Sequence, residues 1–470
     1  MPQFQPSTNH AALGPDFFDP VAPADFPQTI LRHRDRRWAE RVGLDTLSDE
    51  AWLRHFGRFE PLPGSFEQPL ALRYHGHQFR SYNPDLGDGR GFLFAQLHDL
   101  RDGRLLDLAT KGSGRTPWSR GADGRLTLKG GVREVLATEM LEALGVYTSK
   151  SFSLIETGES LYRGDEPSPT RSSVLVRLSH SHIRIGTFQR LAYLNETENL
   201  KKLLDYTVRT YFPEIVAEGE AERAGAFLQT VTRRVARMGA QWIAAGFVHG
   251  VLNTDNINVT GESFDYGPWR FLPTYDPEFT AAYFDETRLY SFGRQPDTLA
   301  WNLTRLAETL LPLAEASILE EALNEFWSTF RTELSAAVLR RLGLAPAGEG
   351  REASLITAMF AFLSTVDTPY EQFFFDWRGG IAGAERAAKS PAAEAYARDD
   401  FRPVANALEQ FKPAANLNLD HPYFGRPKPR TMLIDEVEAI WAPIAENDDW
   451  SLFEETLRDI RFMAEAYGNE

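Results

Sequence analysis

Cysteine is absent from all 470 residues of the chain. Its absence excludes disulfides, thiolate metal sites and a cysteine nucleophile. A chain without disulfides is expected in the cytosol, and we interpret the protein as soluble and cytoplasmic. The first basic residue is Arg32, so the early positive charge that a signal peptide needs is missing as well.

Long apolar runs and an excess of positive charge are also lacking. No stretch reaches the ~20 apolar residues of a membrane-spanning helix, which predicts no association with a membrane. The 50 Lys and Arg residues are outnumbered by 66 Asp and Glu, for a net charge of −16. Such a surface repels a phosphate backbone, so we expect no nucleic acid partner, although a local basic pocket for a small anion is compatible with it.

What is present is a chain of 43% apolar residues, long enough to bury a large core in two or more lobes. Short apolar runs between glycine turns in the first half predict strands. Other segments carry apolar residues at helical spacing and predict helices. The predicted strands are 92–95, 105–108 and 172–178, and the predicted helices are 36–42, 132–144, 299–313 and 318–342.

Residues 249–256, His-Gly-Val-Leu-Asn-Thr-Asp-Asn, align without gaps with the catalytic loop H-R-D-x-x-x-x-N of protein kinases. The match is partial, because Val251 stands where a kinase has its catalytic Asp. Asn256 stands where the metal-binding Asn belongs, and Asp255 places a carboxylate immediately before it. The usual kinase base is therefore absent, while one carboxylate is present in the loop.

The triplet Asp265-Tyr266-Gly267 begins nine residues after Asn256 and resembles the D-F-G motif, whose Asp holds Mg²⁺ against nucleotide phosphates. A turn with Asp and Gly is common by chance, so a plain turn is the stronger interpretation of either motif alone. The order and short separation of the two motifs favour a metal site. Asn256 and Asp265 would supply the oxygen ligands that Mg²⁺ prefers.

A glycine-rich segment, Gly87-Asp88-Gly89-Arg90-Gly91, precedes the predicted strand 92–95 as the glycine-rich loop of a kinase precedes its strand. Glycine lets backbone N–H groups approach a phosphate closely. A tight hairpin turn needs the same glycines and is an equally good interpretation of this segment alone.

Lys111 follows a predicted strand, and Glu134 comes 23 residues later in the predicted helix 132–144. The two resemble the strand lysine and helix glutamate that form an ion pair in kinases. Glu134 lies away from the apolar stripe of its helix, so a solvated glutamate is the alternative. A buried Lys111 would need an anionic partner, which favours the pair.

Two arginines stand in apolar surroundings, Arg177 inside the predicted strand 172–178 and Arg184 soon after it. An arginine in such a place needs an anionic partner, and a salt bridge to a carboxylate is the default for either one. Together with Arg90 and Lys111, they are enough cations to hold a triphosphate.

Two further features have plain interpretations. Asp123 and Gly124 form a turn, which on the residues alone is best explained as a hairpin. His75 and His77 suggest a metal site, but the sequence places no third ligand beside them. We therefore expect structural roles for both histidines.

Several of these segments belong to long and unusual blocks. His-Gly-His-Gln-Phe at 75–79, Lys-Gly-Ser-Gly-Arg-Thr-Pro at 111–117 and the loop at 249–256 resemble those of the selenoprotein O family of kinase-like protein adenylyltransferases. The resemblance extends from the N-terminal segment to about residue 310 and is loose beyond it. Arg80 departs from the pattern, because it replaces the Gly that the family has after His-Gln-Phe.

The resemblance implies a bilobal α+β fold like that of protein kinases. It implies an N-terminal extension at 1–70, an N-lobe at 71–180, a C-lobe at 181–310 and a helical C-terminal region at 311–470. ATP would lie inverted relative to ordinary kinases, presenting its α-phosphate to the acceptor.

The resemblance also assigns roles to residues. Those that would bind ATP are Gly87, Gly89, Arg90, Lys111, Asp123, Gly124, Arg177, Arg184 and Asp265. Glu134 would orient Lys111. Asn256 and Asp265 would hold Mg²⁺, with Mn²⁺ as an alternative, and Asp255 would accept the proton of the acceptor.

The implied activity is transfer of AMP from ATP to Ser, Thr or Tyr hydroxyls of proteins, with release of pyrophosphate, by a monomer. The residues themselves leave three alternatives: a kinase that transfers the γ-phosphate, a nucleotide-binding pseudokinase scaffold, and transfer of UMP from UTP. Val251 argues against a kinase, because the usual base is missing. Retention of Asn256 and Asp265 argues against a scaffold, which has no need of both metal ligands.

Overall fold

The computed structural model describes residues 4–164 and 166–469. It shows a mixed α+β protein, with an antiparallel sheet in the N-terminal part and helices through the C-terminal part. The strands are β1 (Pro6–Ser7), β2 (Phe18–Pro20), β3 (Ile30–Arg34), β4 (Leu70–Leu72), β5 (Gly76–Gln78), β6 (Ser81–Asn83), β7 (Leu93–His98), β8 (Leu105–Lys111), β9 (Leu126–Thr127), β10 (Lys150–Leu161), β11 (Thr170–Ser179), β12 (Phe247–Val248) and β13 (Arg270–Phe271). The α-helices are α1 (Arg36–Arg41), α2 (Asp49–Phe56), α3 (Leu128–Ala143), α4 (Ile185–Tyr193), α5 (Thr197–Tyr211), α6 (Glu220–Ala245), α7 (Gln295–Thr309), α8 (Ala316–Asn324), α9 (Phe326–Leu342), α10 (Glu349–Leu363), α11 (Tyr370–Asp376), α12 (Ala384–Ala388), α13 (Ala393–Tyr396), α14 (Arg402–Leu408), α15 (Ile434–Asn447) and α16 (Ser451–Tyr467).

The main sheet positions two of the cations singled out above. Its strand order is β2-β4-β7-β8-β11-β10-β3, with β1 beside β7 and β9 beside β11. The pairing of β8 with β11 is antiparallel and sets Lys111 opposite Leu175 and Ala109 opposite Arg177. Because side chains alternate between the faces of a sheet, Lys111 and Arg177 lie on the same face.

Helix α3 packs on that face of the sheet. It begins at Leu128, four residues before the predicted start, because the Thr127 hydroxyl caps it by accepting a hydrogen bond from the Gly130 N–H at 3.1 Å. The predicted strands 92–95, 105–108 and 172–178 correspond to β7, β8 and β11.

One predicted helix is divided. The segment 318–342 forms two helices, α8 and α9, which meet at Glu325. The Glu325 carboxylate accepts hydrogen bonds from Gln229 and Arg233 of α6, at 2.6 and 2.5 Å. These tertiary contacts fix Glu325 at the junction of the two helices. The apolar periodicity within the segment does not reveal this junction.

The core lies on both faces of the sheet. One cluster, which includes Trp38, Trp52 and Phe152, packs α1 and α2 against the outer face. The other is larger and continuous from Leu13 to Tyr467, so it joins α3 to the helices of the C-terminal part. Helix α3 is therefore covered by the sheet on one side and by α16 on another.

The longest helix described is α6, with 26 residues. It carries Arg233, Arg234 and Arg237 on its outward side, where each pairs with a glutamate. Within residues 4–164 and 166–469, no helix combines the length and the apolar content that a bilayer crossing requires.

Candidate active site

Lys111 and Glu134 are brought together by β8 and α3. The Lys111 ammonium donates a hydrogen bond to Glu134 Oε1 and a second one to Asp265 Oδ1 at 2.8 Å. Glu134 is only 1% exposed, so the solvated glutamate considered above is not what the structure shows. Burial of a lysine between two carboxylates fixes its position at the end of the strand.

Asp265 stands in a left-handed backbone conformation with φ of +65°. Its carboxylate contacts Lys111 and accepts a hydrogen bond from Arg177 Nη1 at 3.1 Å. Burial alone would raise the pKa of Asp265, but the charges of Lys111, Arg177 and Arg184 hold it well below its usual value. Asp265 is therefore ionised throughout the physiological pH range.

Asp255 lies in a short 3₁₀ turn at Thr254–Asn256 and is 7% exposed. Its Oδ1 is buried and has no hydrogen-bond partner among the described residues. Burial raises the pKa of this carboxyl to about 6, against the opposing charge of Arg184. A buried carboxylate oxygen without a partner is costly, and such groups are common at functional sites.

The backbone around Asp255 is tightly packed. A Cβ on Gly76 would stand 2.8 Å from Asp255 Oδ1, and a Cβ on Gly186 would overlap the His75 carbonyl. Glycine at both positions lets β5 and the start of α4 approach the loop at 249–256. His77 N–H also donates a hydrogen bond to the Thr254 hydroxyl at 2.7 Å.

Arg184 connects the loop at 249–256 to the glycine-rich segment. It donates hydrogen bonds to the Asp255 carbonyl at 2.9 Å and to Asp88 Oδ1 at 3.2 Å. Its guanidinium also lies 4.3 Å from the centre of the Tyr74 ring. These contacts hold a buried guanidinium in one orientation.

A cavity of about 280 Å³ opens between these groups. Its wall has cationic, acidic and glycine residues from five separate parts of the chain. The predicted site residues that line it are Gly87, Gly89, Arg90, Lys111, Arg177, Arg184, Asp255 and Asp265.

Four predicted site residues lie outside this wall. Glu134 is behind Lys111, and the Asn256 side chain donates a hydrogen bond to the Val251 carbonyl at 3.1 Å. Asp123 pairs with Arg163 at 2.8 Å and lines a neighbouring, larger cavity of about 710 Å³. Gly124 follows it, with φ of +71°.

The wall also includes residues that the sequence did not reveal, among them Trp118, Ser119 and Arg120. Trp118 explains the glycines of the loop, because a Cβ on Gly89 would stand 2.9 Å from its carbonyl oxygen. The segment 118–120 follows the block 111–117 directly, but it has no periodic pattern that would single it out.

His75 and His77 hydrogen-bond within the protein. His75 Nδ1 lies 2.7 Å from the Tyr82 hydroxyl, and His77 Nδ1 lies 2.7 Å from Gln189 Nε2. Across the part of the chain that the structure describes, no group of three or more histidine or acidic side chains is arranged to hold a metal. These contacts agree with the structural roles expected for the two histidines.

Comparison with known proteins extends over almost the whole chain. A family model described as "Protein adenylyltransferase SelO" matches residues 2–461. A protein of Synechocystis sp. described as "Protein nucleotidyltransferase YdiU" is 42% identical, with 96% of each chain covered. A protein of the same description from Gloeobacter violaceus is 45% identical, with 96% of this chain and 94% of that protein covered. Another, from Vibrio cholerae, is 39% identical, with 78% of this chain and 73% of that protein covered.

Proposed function

Since the chain belongs to the SelO family of protein adenylyltransferases, we propose that the cavity beside Asp255 binds ATP and delivers its AMP to a protein hydroxyl. The chain is a protein nucleotidyltransferase, and its substrates are a nucleotide and a protein. The observation that carries the proposal is the buried Asp255 carboxyl, whose Oδ1 has no hydrogen-bond partner among the described residues and which lines one cavity together with five cations. We further propose that the protein acts as a monomer.

The cations are suited to a triphosphate. Arg90, Lys111, Arg177 and Arg184 line the cavity, and guanidinium groups bind phosphate oxygens bidentately. Glu134 keeps Lys111 at the cavity wall through their ion pair. Gly87 and Gly89 let the backbone of the loop approach the phosphates, and the turn at Asp123-Gly124 borders the nucleotide on the outer side.

The donor set suits a hard divalent cation. Asp265 is ionised because of its cationic neighbours, and Asn256 donates through its Nδ2, which leaves its Oδ1 as a free acceptor. Mg²⁺ usually takes only one or two oxygen ligands from a protein, such as these carboxylate and carboxamide oxygens, and phosphates and waters occupy its other coordination positions. When bound between Asn256 and Asp265, Mg²⁺ or Mn²⁺ would supply neutralisation of phosphate charge.

Asp255 then acts as the proton acceptor. The acceptor oxygen forms a bond to the α-phosphorus of ATP, while the bond from that phosphorus to the bridging oxygen breaks and pyrophosphate leaves. The hydroxyl proton passes to the Asp255 carboxylate, which lines the cavity. A carboxylate whose pKa is about 6 is mostly deprotonated at neutral pH and is still a better base than an ordinary aspartate.

The same membership supports a bilobal, kinase-like arrangement. In it, residues 1–70 form an extension, 71–180 and 181–310 form two lobes around the cavity, and 311–470 form a helical region. The support is the position of the cavity, which lies between the sheet that carries Lys111 and the loop that carries Asp255.

The test compares two labels. We expect protein to be labelled by α-³²P-ATP and not by γ-³²P-ATP, in the presence of Mg²⁺, with pyrophosphate as the second product. Asp265→Asn should abolish transfer, and Asp255→Asn should lower it by a factor of ~10² to 10⁴, the usual contribution of a general base. Label from the γ-position would instead identify a kinase. An equal rate with α-³²P-UTP would show that the site does not distinguish uracil from adenine.

Asp123→Asn is the matched control, because its carboxylate is paired with Arg163 outside the 280 Å³ cavity. We expect it to keep the label on protein and to change the KM for ATP only. Full activity of Asp265→Asn would contradict the proposed role of Asp265 as a metal ligand. It would not affect the proposed role of Asp255 as the proton acceptor.

A further inference from the structure

Three exposed aromatic residues, Phe79, Tyr283 and Phe284, form a contiguous surface that we call the aromatic patch. Their exposed fractions are 38%, 85% and 45%. The rings of Phe79 and Phe284 lie 6.0 Å apart between centres, and those of Tyr283 and Phe284 lie 5.2 Å apart. Single exposed apolar residues are ordinary, but a group in mutual contact marks an interaction surface.

The patch includes a strained turn. Phe79 and Arg80 are the two central residues of the hairpin between β5 and β6, whose ends pair through Gln78 and Ser81. Both have positive φ, +48° and +65°. A turn of this kind favours Asn-Gly, and bulky residues in the left-handed region are strained. The chain nevertheless presents a phenylalanine to solvent at this position.

The hairpin packs against the loop at 249–256. The Phe79 N–H donates hydrogen bonds to Asn253 Oδ1 at 3.1 Å and to the Tyr290 hydroxyl at 3.2 Å. Gly76, at the other end of β5, packs directly on Asp255. Three residues of extended chain span at most about 10 Å, so Phe79 stands within that distance of Gly76, which packs on Asp255.

The patch lies outside the nucleotide cavity. Gln78 lines that cavity beside Asp255, whereas Phe79 follows it in the chain and is turned to solvent. A triphosphate is held by charge, and the patch offers aromatic rings instead. A polypeptide is the substrate whose side chains match such a surface, and this chain acts on proteins.

We propose that the aromatic patch docks the acceptor polypeptide, and that it binds an apolar side chain about three residues from the hydroxyl that receives AMP. The spacing follows because an extended acceptor advances about 3.3 Å per residue, so three residues cover about 10 Å, the same span as the chain from Gly76, which packs on Asp255, to Phe79. The inference rests on the proposed function, since it takes Asp255 as the point where the acceptor hydroxyl arrives.

The test uses peptides with one central Tyr, Ser or Thr in a Gly/Lys background, in which a single Phe is moved through the four positions on each side. Transfer from α-³²P-ATP is measured as kcat/KM for each peptide. We expect wild type to favour Phe two to four residues from the hydroxyl by at least 5-fold over the peptide without Phe. In the double variant Tyr283→Ser/Phe284→Ser, this ratio should fall towards 1 while the KM for ATP is unchanged.

Tyr162→Ser is the matched control, because Tyr162 is 76% exposed and lies outside the patch. It should retain the preference for Phe. The sedimentation coefficient of each variant is measured as well, so that a patch used for self-association is recognised.

Three results would overturn the docking inference alone: transfer that is independent of the position of Phe, a raised KM for ATP in the double variant, or a change of oligomeric state with the preference retained. Absence of label from every peptide and also from protein would overturn the proposed function itself. The two failures are therefore distinguishable.

Discussion

Asp255 is the residue whose environment differs most from that of an ordinary aspartate. It is buried, its Oδ1 has no partner among the described residues, and its pKa is raised to about 6. Its position in the loop 249–256 could be predicted from the sequence, because the loop has only one carboxylate. Its burial could not, because Gly76 and Gly186, which pack against it, are distant in the chain.

The raised pKa of Asp255 gives a pH prediction. The proposed base acts in its ionised form, so kcat/KM should fall tenfold per pH unit below about pH 6, where the free enzyme takes up a proton. An ordinary aspartate would place this limb near pH 4. The measurement is the rate of AMP transfer between pH 4.5 and 8.5, at saturating metal.

Asp255→Asn is the control for that profile. Its residual transfer should lack the limb near pH 6, because the titrating group has been removed. A limb that persists in this variant would belong to another group and would contradict the assignment of the base.

Arg80 gives a second prediction at the residue scale. Its φ of +65° is a conformation that glycine adopts without strain and that costs other residues ~1 to 2 kcal/mol. We expect Arg80→Gly to raise the free energy of unfolding by up to about 1 kcal/mol, since the added flexibility of the unfolded chain offsets part of the gain. Urea unfolding followed by tryptophan fluorescence measures the change.

Ser81→Gly is the matched variant, because Ser81 lies in β6 of the same hairpin. Glycine in a strand is unfavourable, so this change should lower stability. Equal effects of the two variants would show that the turn at Arg80 is not strained.

At the scale of elements, α3 is covered on more than one side, and Glu134, which lies off its apolar stripe, is buried against Lys111 of the sheet. A pattern of apolar residues predicts one buried face, but α3 is covered by the sheet and by α16. Glu139, also on α3, is buried and contacts Arg37 and Arg461 at 3.6 Å each. Sequence periodicity predicted the helix and not its second covered side, because the covering residues lie more than 300 positions away.

Two neighbouring glycines of α3 give a matched pair of variants. A Cβ on Gly131 would overlap a Leu154 methyl group and stand 2.8 Å from Ser173 Oγ, whereas a Cβ on Gly130 would stand 3.0 Å from the nearest atom, a Leu126 methyl. We expect Gly131→Ala to cost about 1 to 3 kcal/mol, as overpacking does. Gly130→Ala should be close to neutral, because helix propensity favours Ala over Gly by up to ~1 kcal/mol.

The same pair tests how Glu134 is positioned. Displacement of α3 from the sheet by Gly131→Ala should weaken the contact between Glu134 and Lys111 and lower AMP transfer, while Gly130→Ala keeps activity. Thermal unfolding and transfer rates are measured on both proteins. Similar stability of the two variants would show that the sheet yields to the added methyl group.

At the scale of the whole molecule, the C-terminal helices are packed against the N-terminal part. Asp448, which ends α15, forms ion pairs with Arg32 at 2.9 Å and Arg171 at 2.6 Å. Lys129 at the start of α3 pairs with Glu438 of α15 at 2.7 Å. The sequence predicted helices here, but it could not predict that they cover the helix that carries Glu134.

These contacts lead to a prediction about removal of α16. Its large buried apolar residues are Phe453, Leu457, Ile460, Met463 and Tyr467. Burial of each contributes ~1.5 to 3 kcal/mol, so together they match the 5 to 15 kcal/mol by which a whole domain is stable. We therefore expect a chain that ends at Asp449 to lose its cooperative unfolding transition and its AMP transfer, although none of the removed residues lines the 280 Å³ cavity.

Two point variants in α16 distinguish the loss of its core packing from the mere shortening of the chain. Ile460→Ala should cost about 2 to 5 kcal/mol, whereas Leu452→Ser, at a position 38% exposed, should stay within about 0.5 kcal/mol of wild type. Calorimetry and transfer assays are run on all three proteins. If 311–470 folds independently of residues 1–310, the shortened chain keeps a folded sheet and transfers AMP; if α16 is part of the core that supports α3, stability and transfer are lost together.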